Sequence, residues 1–223
     1  MLLRWVHVLG GITWIGFLYQ FNFVQAPAFE VFEPETRGEV TRKLLPRNIA
    51  WFRYSALVTF LAGVVYFIIR MTGLGWDQLG SDYAVVILSG LGLGTLMFLN
   101  VWGVIWPKTK IVIGSAEKMA AGGQPDPAAA EAARRGLLVA RTSVIFSIPM
   151  LFFMISAGHR STIAEGTPRL TYGIFAIIVV LVLEVNSLSG LTGASKKPLE
   201  GVGSVIFAGF ILLAVLFLAL QLL

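Results

Sequence analysis

Residues 202–223 read VGSVIFAGFILLAVLFLALQLL, a run of 22 without a single acid or base. A helix rises ~1.5 Å per residue and the bilayer core is ~30 Å thick, so about 20 such residues cross it. This stretch therefore sets the class as an α-helical membrane protein. Working back along the chain, five more runs meet the same criterion, and the full set is residues 2–24, 49–70, 83–106, 139–158, 170–191 and 202–223. The expected fold is an all-α integral membrane bundle of about six transmembrane helices, forming one domain over residues 1–223. No internal repeat stands out.

The composition agrees. Apolar residues make up 57% of the 223, charged residues 13%, and mean hydropathy is +0.81. A soluble domain carries roughly 25% charged residues, so an ordinary soluble globule, a disordered chain and a nucleic-acid-binding domain are all excluded. There is no cysteine. That removes disulfides, thiolate zinc, iron–sulfur clusters and covalent c-type haem, which needs Cys-x-x-Cys-His.

The links carry the charge. Arg37, Arg42, Lys43, Arg47, Arg53, Lys108, Lys110, Lys118, Arg134, Arg135, Arg141, Lys196 and Lys197 fall toward one side, leaving Arg4, Arg70, Arg160 and Arg169 on the other. This 13-to-4 bias places the first, third and fifth links in the cytoplasm and both termini in the periplasm of a bacterial inner membrane. The net charge of +5 thus reads as an orientation signal rather than as an acidic partner. Trp51, Trp102 and Trp106 are expected at the cytoplasmic interface and Trp76 near the outer one. Residues 1–28 also have signal-peptide features, ending in Ala26-Pro27-Ala28. Their apolar stretch is longer than a signal core, so it is read as a retained span. The third link, 107–138, is expected as two short helices broken at Gly122-Gly123-Gln124-Pro125. Asp126 would cap the second of them and Pro127 would open it. Its bases read as a solvated cytoplasmic surface.

Few residues at membrane depth carry chemistry. The only histidines are His7 and His159, placed by the span order at the same outer side. His7 lies roughly 7 Å below that edge. Imidazole is a common axial ligand of haem iron. On span one, His7, Gly10, Gly11 and Trp14 share one helical face. One reading is that the glycines leave room for a flat macrocycle with Trp14 stacked on its edge. The other is a close helix crossing, for which small residues are the usual contact surface. Pro149 would bend span four to bring His159 inward, and Met154 is an alternative ligand or ordinary packing. Glu184 is the sharpest intramembrane charge, with Asn100 at similar depth, Arg53 nearer the cytoplasm, and Asn186 and Ser187 beside it. Ionisable groups at this depth are costly and face a bundle interior. They read as a polar layer serving a proton path, a quinone or haem propionates, or else as a structural Glu184–Arg53 pair. No Ser–His–Asp, zinc-protease or phosphate-loop pattern is present.

Several blocks together resemble the membrane domain of the bacterial membrane-bound urate oxidase family. They are Leu3-Arg4-Trp5-Val6-His7 with Gly11-Ile12-Thr13-Trp14-Ile15-Gly16, and Trp51-Phe52-Arg53-Tyr54. Asn100-Val101-Trp102 with Trp106-Pro107 is a third, and Ala140-Arg141-Thr142-Ser143 through Ala157-Gly158-His159 a fourth. The likeness covers spans one to four. It implies a membrane redox protein with His7 and His159 as haem b ligands. The family's urate oxidases carry a C-terminal cytochrome c domain, and with no cysteine here the expected electron partner is a separate cytochrome c or larger redox complex. Tyr54 and Ser55 depart from the urate oxidase pattern, which separates a haem b electron-transfer protein from a urate oxidase-like enzyme. A third alternative is an accessory subunit of a respiratory or photosynthetic complex.

Overall fold

The computed structural model describes residues 1–158 and 169–223. Its helices are α1 (Leu2–Tyr19), α2 (Ala26–Val31), α3 (Pro34–Lys43), α4 (Leu45–Leu74), α5 (Asp82–Asn100), α6 (Trp106–Ala120), α7 (Ala129–Ser156), α8 (Arg169–Leu188) and α9 (Val202–Leu222). No strand occurs among the described residues. Six helical stretches among them are long and apolar enough to cross a membrane. The expected all-α bundle is the observed one.

Two of the six crossings are compound. A π-helical turn, Gln20–Gln25, joins α1 to α2, and another, Val101–Ile105, joins α5 to α6. Each stands just before a proline, Pro27 and Pro107. A proline ring inside a helix clashes with the carbonyl four residues back. Here the Ala26 N–H reaches back to the Phe21 carbonyl and the Trp106 N–H to the Val101 carbonyl, both one residue further than in an α-helix. The widened turn makes room for the ring, and the helix continues.

This corrects the reading of the third link. The two helices flanking the expected break are continuations of the neighbouring spans. The first is α6, running on from α5, and the second is the opening of α7. The break itself is where it was expected. Gly122 has φ +80°, the Gly122 N–H reaches the Met119 carbonyl and the Gly123 N–H the Lys118 carbonyl. Those two bonds are a Schellman termination. Asp126 does not sit directly at the helix start. Its Oδ1 accepts from the Ala128 N–H at 2.9 Å, turning the chain just ahead of α7.

The axis of the bundle is α7. In its most apolar stretch 72% of residues are buried, against 17% in α4 and 22% in α8. It packs on α5, α6, α8 and α9. Among its buried residues are the small or hydroxylated Ala140, Thr142, Ser143 and Ser147, and such residues let neighbouring backbones approach. A Cβ on Gly90 of α5 would lie 3.1 Å from Met154 Cγ and 3.3 Å from the Met150 carbonyl oxygen. The helix runs unbroken through Pro149. That proline cannot donate to the Ile145 carbonyl, which instead faces Gly209 of α9, 3.3 Å from where a Cβ would stand. Carbonyl contacts with a helix Cα recur at such crossings. Outward, α8 shows Ile174, Ile177, Ile178, Leu181, Val182 and Val185, an apolar face suited to lipid.

Because backbone and Met154 crowd Gly90, Gly90→Val should lower thermal stability in detergent by about 1–3 kcal/mol. Gly92→Val, where a Cβ meets nothing within 4 Å, should lower it far less. Equal losses would show that the α5–α7 crossing does not depend on Gly90.

Candidate functional site

Three places hold the polar residues singled out above. The first is the crossing of α1 with α4. His7 is half-buried, and its Nδ1 lies 2.8 Å from the Thr59 carbonyl oxygen. A carbonyl only accepts, so Nδ1 carries the proton, and in the neutral ring Nε2 is then the bare nitrogen. Among the described residues Nε2 has no partner. The imidazole rests against Gly63, where a Cβ would stand 2.7 Å from both Cε1 and Nδ1. Thr59 is itself fixed, its Oγ1 donating to the Ser55 carbonyl at 2.7 Å.

The space beside the span-one glycines is filled. A Cβ on Gly10 would fall 2.7 Å from Thr59 Oγ1, and one on Gly11 would touch Thr59 Cγ2 at 3.7 Å. These positions make the crossing of α1 with α4. Trp14 is buried in the core at 3% exposure. The glycine that admits the histidine is Gly63, which the sequence reading passed over. Met154 packs against Gly90.

His159 lies outside the described residues. Its neighbour Gly158 stands beside Arg4, whose Nη2 is 3.9 Å from where a Gly158 Cβ would be. The start of α1 and the end of α7 therefore meet at one end of the bundle. Arg70 lies over the Tyr83 ring at 5.6 Å, and Arg169 pairs with Asp82 at 2.6 Å. An apolar cavity of about 490 Å³ opens between α5 and α8. It contains the Ser89–Tyr172 hydroxyl pair, 2.8 Å apart, and Arg169 lines it.

The second place is the Glu184 layer. Asn100 Nδ2 donates to Glu184 Oε2 at 3.1 Å and to Ser143 Oγ at 3.3 Å, linking α5, α7 and α8. Glu184 is 6% exposed, and its Oε1 has no partner among the described residues. Ser187 Oγ donates to the Glu184 backbone carbonyl, and Asn186 turns away to the Ser195 carbonyl. Arg53 is not in this layer and forms no ion pair with Glu184. Its guanidinium is held by three aromatic rings, with centroids at 4.5 Å (Tyr54), 4.1 Å (Trp106) and 5.6 Å (Trp102).

The third place is the base-rich end. Its arginines are less solvated than expected. Arg141, 5% exposed, donates through Nη1 to the Leu199 and Glu200 carbonyls. Arg135 Nη1 caps the last carbonyls of α8 at Ser187 and Leu188 and reaches Gly190. Arg134 binds Glu200 through both terminal nitrogens and the Leu191 carbonyl through Nε. The Arg134 guanidinium holds the Glu200 carboxyl below the usual carboxylate range.

With this geometry in hand, the family described as Urate oxidase N-terminal matches residues 64–218, and the chain belongs to that family. The match runs through α9, further than the likeness read in spans one to four, and it takes in Asn100, His159 and Glu184 but not His7 or Arg53. Comparisons with curated proteins and with solved structures return no match.

Glu184→Ala would leave Asn100 with Ser143 alone and should cost about 1–3 kcal/mol. Glu184→Gln keeps an acceptor for Asn100 and should cost distinctly less. Thermal unfolding in detergent checks both, and equal losses would refute the hydrogen-bond account. The Glu200 tie has its own pH signature. A lowered folded pKa adds stability above the ordinary glutamate range and loses it as pH falls through the lowered value. Acid titration should show that loss, under about 1 kcal/mol for so exposed a pair, and Glu200→Gln should abolish it.

Proposed function

We propose that this member of the urate oxidase N-terminal family is a multi-pass redox protein of the bacterial inner membrane that carries haem b on His7 and exchanges electrons with a separate partner. The observation behind it is the Nδ1–H···O=C bond to Thr59. Iron-ligating imidazoles characteristically donate their other nitrogen to a carbonyl or carboxylate, which fixes the tautomer and raises the basicity of the ligating nitrogen. Thr59 gives His7 that arrangement, and Gly63 gives it room. The packed Gly10 and Gly11 face leaves the group to approach from the Nε2 side. Haem b supplies one-electron cycling of its iron when bound.

The chain's own residues set the surroundings. Arg4, one turn before His7, and Arg70 bring positive charge to that end and suit propionate carboxylates. His159 is the candidate second ligand. Glu184 and Asn100 offer a polar layer deeper in the bundle for proton traffic. The apolar cavity between α5 and α8, with its tyrosine and serine hydroxyls, suits an isoprenoid quinone as a partner from within the bilayer. A cytochrome c or a larger redox complex would serve from outside.

The test is a reduced-minus-oxidised absorption spectrum of the purified protein. A haem b signature is expected. His7→Ala should abolish or shift it, and Gly63→Val, which thrusts a side chain into the imidazole, should shift it. No haem band, or an unchanged spectrum in His7→Ala, would overturn the reading. The family description favours a second reading, a urate oxidase-like enzyme, under which urate alone should reduce the purified protein.

A further inference from the structure

The cavity between α4 and α6 holds a pair of cations that form no ion pair among the described residues. Arg53 of α4 and Lys110 of α6 both line it, and both lie against one ring. The Arg53 guanidinium carbon is 4.1 Å, and the Lys110 Nζ 4.3 Å, from the centroid of Trp106. Aromatic faces hold cations in place without cancelling their charge. Two like charges at one ring repel each other, and an anion in the cavity they both line would relieve that.

Arg53 Nη1 and Lys110 Nζ donate to no partner among the described residues. Of the guanidinium nitrogens, Nη2 donates to Tyr54 Oη at 3.0 Å, while Nε is buried without an acceptor among the described residues. Three aromatic rings surround the guanidinium, and none of them carries a charge to neutralise it. Lys110 is exposed and makes no ion pair among the described residues. The one acid lining the cavity is Glu117, itself exposed and about two turns beyond Lys110 on α6.

Size and placement narrow the occupant. The cavity measures about 370 Å³, with Ile49 and Ile113 as apolar wall and Gly114, whose Cβ position is open, leaving space. It belongs to the base-rich end, where tryptophans crowd at Trp102 and Trp106. Tryptophan and basic residues mark the headgroup level of a bilayer. A phosphodiester at that depth presents its oxygens to guanidinium and ammonium, which are the groups that recognise phosphate. Its acyl chains would continue down the apolar side.

We propose that Arg53, Lys110 and Trp106 form a specific site for the phosphate of an anionic membrane phospholipid. The proposal is independent of the haem reading, since it concerns other residues in another part of the bundle.

The experiment uses the full-length protein, delipidated in mild detergent and titrated with phosphatidylglycerol. Lipid retention is read by native mass spectrometry, and quenching of tryptophan fluorescence is read with brominated chains. One tightly held lipid is expected, with phosphatidylcholine held at least tenfold more weakly. Lys110→Gln, on an exposed side chain, should weaken phosphatidylglycerol about tenfold while leaving the melting temperature unchanged, and Arg53→Gln should weaken it at least as much. Glu117→Gln should tighten it. Equal retention of the two lipids, or retention unaffected by Lys110→Gln and Arg53→Gln, would overturn the proposal. Inorganic phosphate at millimolar concentration should fail to displace the lipid. Displacement would overturn the lipid assignment in favour of a free-anion site.

Discussion

Burying polar groups where no water reaches them is the constraint on which this structure depends. In hydrocarbon an unsatisfied backbone or side-chain group costs several kcal/mol, and several polar residues find their partners on α7. Ser143 accepts from Asn100, Ser147 meets the Tyr19 hydroxyl at 2.9 Å, and Arg141 takes two carbonyls of the turn before α9. Each of these ties α7 to a different partner. The apolar surfaces of α8 and α9 could slide past one another with little penalty. The hydrogen bonds of α7 give the bundle one register.

Prolines show how such a bundle tolerates a missing donor. Pro27 and Pro107 each follow a widened turn that absorbs the ring. Pro149 has no such turn, and the carbonyl to which it cannot donate faces a glycine on the neighbouring helix. The first solution lengthens a helix through a residue that ordinarily ends one. The second converts a broken bond into a site of close approach.

Much of this was legible in the sequence. The spans follow from the length of uncharged runs, and the sorting of bases to one end follows from counting. Glu184 and Asn100 declared themselves as polar residues at depth, and they do touch. What the sequence hid are pairings between distant positions. Nothing around His7 announces Thr59, 52 residues away, or that the glycine making room for the ring is Gly63 on another helix. Arg53 was read against Glu184 because depth alone pairs them. Its guanidinium goes instead to aromatic rings whose attraction leaves no complementary charge to find. The third link was misjudged because proline and glycine both read as breakers, whereas only Gly122 adopts a backbone conformation that ends a helix there.

The arginines at the base-rich end carry a further consequence. By number they are the signal that would tell an insertion machinery which ends stay behind. By contact they are also the joinery. Arg135 seals the carbonyl end of α8, and Arg134 and Arg141 fasten the turn leading into α9. The charges that the sequence count sorted to one end are thus also structural ties. Moving these charges elsewhere would also unfasten the last two helices, so the positive charge of this end cannot be redistributed without loosening the bundle.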